Sequence, residues 1–235
     1  MGALEPNLVD HVLAAVILVV LPIRGYLSFP AVRRKLAEDK PGIRIKLYRR
    51  TMVWQWGLAG VTVAAWLAAG RTLAELGLVW PRTAGTWVVA LVVLLIIGLM
   101  SAQLATLPKH PDMHAQLREK LEAQAPFLPR TLREESWFSC VAVTAGVCEE
   151  ILFRGFCLAY IAAWMSLPWA VVVTSVIFGL GHLYQGRNGV LKTGIAGLVA
   201  GFMVVFGGTL WLPIVLHVFV DVHGGVVHRI VQRRG

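Results

Sequence analysis

The sequence predicts an all-α, polytopic membrane protein, from three observations. Of 235 residues, 57% are hydrophobic and 15% are charged, whereas a typical soluble domain has about 25% charged residues. The mean hydropathy is +0.68, too high for a chain that must cover itself with polar side chains. The apolar residues also gather into seven runs near the ~20 residues needed to cross the hydrocarbon layer. Together these exclude an ordinary soluble enzyme, a disordered chain and a secreted disulfide scaffold.

The runs cover about 8–23, 51–70, 86–107, 137–166, 168–186, 190–207 and 209–228. The first lacks the features of a signal peptide, because Glu5 and Asp10 stand where a positive leader is expected. The first three runs form an N-terminal membrane region, 1–107, with almost no buried polar groups expected. Residues 108–135 form a mixed-charge cytosolic linker carrying a short surface helix, punctuated by Pro108, Pro111, Pro126 and Pro129. Residues 136–230 form the second membrane region, with four spans. The fourth run is long, so it must tilt, extend past the membrane or break, and a break would give eight elements. Gly197 and Gly201 form a GxxxG in the sixth run and predict close helix packing. Cys140, Cys148 and Cys157 lack metal or redox spacing and read as small buried helix residues.

The net charge of +9 follows the same map. With seven spans, nineteen of the 22 lysines and arginines fall on one side, and Arg71 and Arg82 alone on the other. That side includes the basic 24–50 loop, Lys120 of the linker and Arg229, Arg233 and Arg234 of the tail. The positive-inside rule then places the N-terminus outside and the C-terminus in the cytosol. The charge is explained by orientation and by anionic lipid, without nucleic acid.

Against this background a few polar residues stand inside apolar runs: Glu149, Glu150 and Arg154 in the fourth, His182 in the fifth, His217 and Asp221 in the seventh. A charged residue at a helix centre costs about 2.5–3.5 kcal/mol on insertion, so these are functional candidates by default. Glu150 and Arg154 are spaced to pair on one helix face, as are His217 and Asp221. Glu149 is turned about 100° from Glu150, toward the space His182 and His217 would share. A carboxylate beside two imidazoles is equipped to activate water. Phe178, one turn before His182, is expected to pack beneath it. His223 and His228 read as interfacial, and His11, His110 and His114 as bland.

Glu149-Glu150-Ile151-Leu152-Phe153-Arg154 is EExxxR, Phe178 to His182 is FxxxH, and His217 to Asp221 is HxxxD. In this order, on successive late helices, the three motifs resemble the CPBP (Abi) family of intramembrane proteases. That family includes type II CAAX prenyl endopeptidases and bacteriocin-processing or immunity proteins, and the resemblance covers roughly 136–228. It implies peptide-bond hydrolysis at the membrane, on peptide or protein substrates that can be lipid-modified. Glu149 and His182 would activate water, and His217 and Asp221 would orient substrate or stabilise the tetrahedral intermediate. Asp221 stands where some members have Asn, and is expected to hold the His217 ring instead of donating to an oxyanion. Glu150, Arg154 and Phe178 would support the site. The expected membrane is a bacterial inner membrane, and the depth of Glu149 and His182, each about one turn from the cytosolic end of its span, predicts a site open to the cytosol.

No cofactor is expected. Glu149, His182, His217 and Asp221 are acceptable zinc ligands, so a metalloprotease is the alternative, although the HExxH motif is absent. A proton-coupled transporter or a non-catalytic immunity protein would also place charges in spans. The clustering of polar residues in the last four runs and the intact motif set favour the protease.

Overall fold

The computed structural model describes residues 4–110, 112–121 and 125–232, with the backbone alone at 112, 115 and 120. Of the described residues 83% are helical, and none is in a strand. Pro111, the Lys120 side chain, Arg233 and Arg234 lie outside this description.

Helix α1 is Leu8–Ala37. It starts at a reciprocal cap: Asn7 Oδ1 accepts from the Asp10 amide at 3.0 Å, and Asp10 Oδ2 accepts from the Asn7 amide at 2.9 Å. A π-helical turn occupies Val16–Val20. Left-handed Gly42 opens α2, Ile43–Ala68. Helix α3, Ala84–Thr106, is capped by Thr83, and the short α4 is Asp112–Leu121. Helix α5 runs over 132–162 as Leu132–Glu150, a π-helical stretch Ile151–Cys157, and Leu158–Ala162. Then follow α6 (Leu167–Leu180), α7 (Gly186–Gly207), ended by left-handed Gly208, and α8 (Trp211–Gln232).

Helix α5 lies between α2 and α8, while α6 packs on α7, and α3 on α7 and α8. The main core takes Leu13 and Ile17 from α1, Trp66 from α2, Phe156 from α5, Val204 from α7 and Ile214 from α8. It therefore crosses the composition boundary near residue 135. Outward faces are apolar: on α3, Val88, Leu91, Leu95 and Leu99 are exposed while Val89 and Val93 are buried. In water such a stripe is a liability; in lipid it is the solvated face. Four helices, Leu8–Ala37, Ala84–Lys109, Leu183–Gly207 and Trp211–Gln232, are long and apolar enough to cross a membrane by length and composition.

Several expectations need correction. Helix α1 continues fourteen residues past its expected end at 23, so most of the basic 24–50 segment is helical. Its extension is held by tertiary contacts: Leu36 is buried and Phe29 stacks on Phe127 at 5.9 Å. Helix α6 stops at Leu180, so His182 lies just beyond it. Cys140 is exposed, unlike Cys148 and Cys157. His223 and His228 are buried, because α4 and α5 cover the last turns of α8. The N-terminal region does bury polar groups. Asp10 and Arg44 are almost inaccessible, and Arg71 clamps Asp10 through two bonds of 2.6 and 2.8 Å.

Candidate active site

The site begins with a close helix crossing. A Cβ on Gly146 would lie 2.5 Å from Val218 Cγ2 and 3.0 Å from its backbone nitrogen. The missing side chain lets α5 and α8 approach one turn before the Glu149–Glu150 pair, beside His217. Immediately after Glu150 the helix widens into the π-helical stretch Ile151–Cys157, a distortion that recurs at functional sites.

Glu150 is 1% exposed. Its Oε1 accepts from Arg154 Nη1 at 3.1 Å and from His217 Nδ1 at 2.8 Å. Arg154 lies 4.1 Å over the Phe178 ring, a cation–π contact. Phe178 touches both imidazoles: its ring centroid is 4.8 Å from His182 and 6.3 Å from His217. A Cβ on Gly197 would meet Arg154 Nη2 at 3.0 Å, and one on Gly201 would meet Val171 Cγ1 at 2.7 Å. The GxxxG of α7 therefore brings that helix against Arg154 and α6, the packing role expected of it.

Both ring tautomers are constrained. His182 Nδ1 lies 2.8 Å from the Phe178 carbonyl, and since a carbonyl only accepts, Nδ1 carries the hydrogen and Nε2 is left as a lone pair. His217 Nδ1 is taken by the Glu150 carboxylate, so its Nε2 faces Glu149 Oε2 at 3.9 Å and Asp221 Oδ2 at 3.8 Å. Neither distance is a hydrogen bond. The residue holding the His217 ring is thus Glu150 rather than Asp221. The i, i+4 spacing brings Asp221 close, but only to the opposite ring nitrogen, whereas the α5–α8 crossing puts Glu150 on Nδ1.

Glu149 is held from outside the motif set. Gln55 Nε2 donates to Glu149 Oε1 at 2.8 Å, and Glu149 Oε2 has no hydrogen-bond partner among the described residues. Gln55 is carried by the buried face of α2, which also presents Arg44, Tyr48, Ala59, Thr62 and Trp66. Sequence reasoning passed over it, although it is the one amide or charged side chain in the 51–70 run. An aromatic wall was also missed: Tyr184 packs on His182 at 5.6 Å, on Phe127 at 5.5 Å and on Phe29 at 6.1 Å.

The structure gathers Glu149, Glu150, Arg154, Phe178, His182, His217 and Asp221 around one point. No hydrogen bond or ion pair joins His182 to Glu149 among the described residues. Nor do three His, Cys, Asp or Glu side chains converge as a metal-ligand group among those residues. His217 Nδ1 is already committed to Glu150. The arrangement as it stands does not fit a zinc centre.

An all-helical membrane protein with a buried carboxylate–imidazole cluster is the class that fold and site define. Residues 134–223 match the family model for Rce1-like, type II CAAX prenyl endopeptidase Rce1-like. The matched segment contains all three motifs and is similar to the CPBP, or CAAX-protease, family. No curated protein and no solved structure matches the chain.

Proposed function

We propose that the protein is an intramembrane endopeptidase in which Glu149 acts as general base. The observation that carries this is the state of its carboxylate: Oε1 is pinned by Gln55 while Oε2 stands unpartnered, facing His217 Nε2 across 3.9 Å. A gap of that size between two polar atoms suits a bridging water or substrate oxygen. In the proposed step Glu149 Oε2 takes a proton from water, and the water oxygen bonds to the scissile carbonyl carbon. His182, through its Nε2 lone pair, accepts from the same water and aims it. The carbonyl oxygen becomes an oxyanion, and His217 Nε2–H, when the ring is protonated, donates to it. Collapse breaks the C–N bond, and the departing amine takes the proton held by Glu149. Asp221, an acceptor beside that space, orients a substrate backbone N–H. Glu150 and Arg154 fix the His217 ring and the α5–α8 contact.

The reading includes seven crossings, an outside N-terminus, a cytosolic C-terminus and a site open to the cytosol of a bacterial inner membrane. The one-sided distribution of lysine and arginine supports it. In it, 136–230 is the catalytic region, 1–107 the supporting one and 108–135 the cytosolic linker. The substrate class is a membrane-associated peptide or protein, and water activation is metal-free. The experiment is peptidomics of membranes carrying wild-type or Glu149→Ala protein. Peptides that vanish with Glu149→Ala, at equal protein level, support the assignment; identical peptide sets with Glu149→Ala and His182→Ala overturn it.

A further inference from the structure

The exposed surface of α2 carries a second feature, outside the catalytic cluster. A groove of about 600 Å³ is lined by Lys46, Arg49, Arg50 and Arg133, with Val53 and Trp54 at one end. The four cations are exposed, and among the described residues no aspartate or glutamate lines the groove. None of the four forms an ion pair among the described residues. Arg44 and Arg130 nearby behave differently, both pairing with Asp39. The groove thus gathers four cations without a carboxylate partner among the described residues, of which Arg49 lies 5.8 Å over the Trp137 ring.

The groove does not end at Trp54. The Arg24 guanidinium lies 5.3 Å over that ring, and Arg24 belongs to a second groove of about 510 Å³ on α1, lined by Val19, Val20, Ile23 and Leu27. These four side chains are more than half exposed. At ~1.5 Å per residue, Val19 lies about 7 Å from Arg24 along the helix axis, on the apolar side of this first lysine or arginine of α1. One path therefore runs from four cations, over an Arg–Trp pair, onto bare aliphatic side chains.

We propose that this path is a binding site for one anionic phospholipid. Its phosphate lies among Lys46, Arg49, Arg50 and Arg133, and an acyl chain lies over Trp54 onto Val20 and Val19. Charge complementarity and the polar-to-apolar order of the path argue for that occupant. A zwitterionic lipid would bring its own cation into a groove with no carboxylate to receive it. The proposal rests on the membrane placement of α1 and α2 and is independent of the peptidase reading.

The test is native mass spectrometry of the purified full chain from micelles doped equally with phosphatidylglycerol and phosphatidylcholine. Wild type is expected to retain phosphatidylglycerol over phosphatidylcholine by about tenfold or more, since each cation near a lipid surface contributes appreciably. The variant Lys46→Gln/Arg49→Gln/Arg50→Gln/Arg133→Gln is expected to lose the preference. A control of equal charge, Arg33→Gln/Arg34→Gln/Lys35→Gln/Lys109→Gln, is expected to keep it. Should the fourfold variant not insert, Arg50→Gln/Arg133→Gln is read the same way, with a partial loss expected. Equal retention of both lipids, or equal loss in test and control variants, overturns the proposal. So does displacement by millimolar inorganic phosphate, which marks a free-anion site, or by a soluble polyglutamate peptide, which marks a docking surface for acidic protein.

Discussion

Gln55 and Glu149, 94 residues apart in sequence, meet through a 2.8 Å hydrogen bond. The amide comes from a helix outside the family-matched segment, and it holds the oxygen of Glu149 that is turned away from His217. A hydrogen bond to a charged group contributes about 1.5–3 kcal/mol. Gln55→Leu is therefore expected to lower kcat by roughly 10-fold or more, with KM little changed. Gln55→His, which can still donate, is expected to recover part of the loss. An unchanged kcat in Gln55→Leu would remove Gln55 from the site.

The two adjacent glutamates are expected to fail in different ways. Glu149→Gln should abolish measurable cleavage, since a positioned base contributes about 10²–10⁴-fold, with the melting temperature near that of wild type. Glu150→Gln and Arg154→Ala each leave a buried charge unpaired, at a cost of about 3–5 kcal/mol. For these two the thermal unfolding midpoint should fall at least as clearly as the activity. Thermal melts in detergent beside a cleavage assay separate the two patterns.

Gly146 is expected to tolerate no side chain. A Cβ there meets Val218 at 2.5 Å, and overpacking of this kind costs about 1–3 kcal/mol. Gly146→Ala should reduce both stability and cleavage by pushing Glu150 away from His217. Gly146→Ala/Val218→Ala should restore a large part of both; a double variant no better than the single one would show that the crossing is not set by this contact.

The linker is clamped by Asp39, which accepts from Arg44 at 2.7 Å and from Arg130 at 2.8 Å. The Arg44 hydrogen bond, opposed by burial and aided by Arg130, holds the Asp39 carboxyl below its ordinary value of 3.8. A depressed carboxyl stabilises the fold above its unfolded pKa, and that contribution is lost as pH falls through the folded one. The melting-temperature gap between wild type and Asp39→Asn should be full above about pH 4 and should close as the pH falls below that. Asparagine also suits the left-handed backbone at this position, where φ is 48°. A gap independent of pH would show that the clamp is not ionic.

Metal-free water activation predicts full cleavage by purified protein after chelation, with no zinc found by elemental analysis. Activity lost on chelation and restored by zinc would sink that reading and shift Glu149, His182, His217 and Asp221 to ligand roles.

Much of the candidate site was legible in sequence because insertion energetics make an intramembrane charge conspicuous. Glu149, Glu150, Arg154, His182, His217 and Asp221 could be picked out without a structure, and the Glu150–Arg154 pair followed from helical spacing. Gln55 was less conspicuous because a neutral amide costs less to bury. The partner of His217 was not legible either. Spacing offered Asp221 on the same helix, whereas Glu150 comes from another helix through a crossing that depends on Gly146. The length of α1 was missed for a similar reason: hydropathy marks where lipid ends, while the helix continues on contacts made by Phe29 and Leu36.

Composition and the order of apolar runs by themselves determined an all-helical membrane protein and a set of candidate residues for chemistry. Both are local properties, set by transfer free energy and by 3.6-residue periodicity. Which nitrogen of His217 is held and which carboxylate oxygen is left unpartnered were decided by tertiary structure alone. So was the reach of α2 into the site. Those depend on how closely helices distant in sequence can approach, and the approach is fixed by small residues and packed side chains that no single segment specifies.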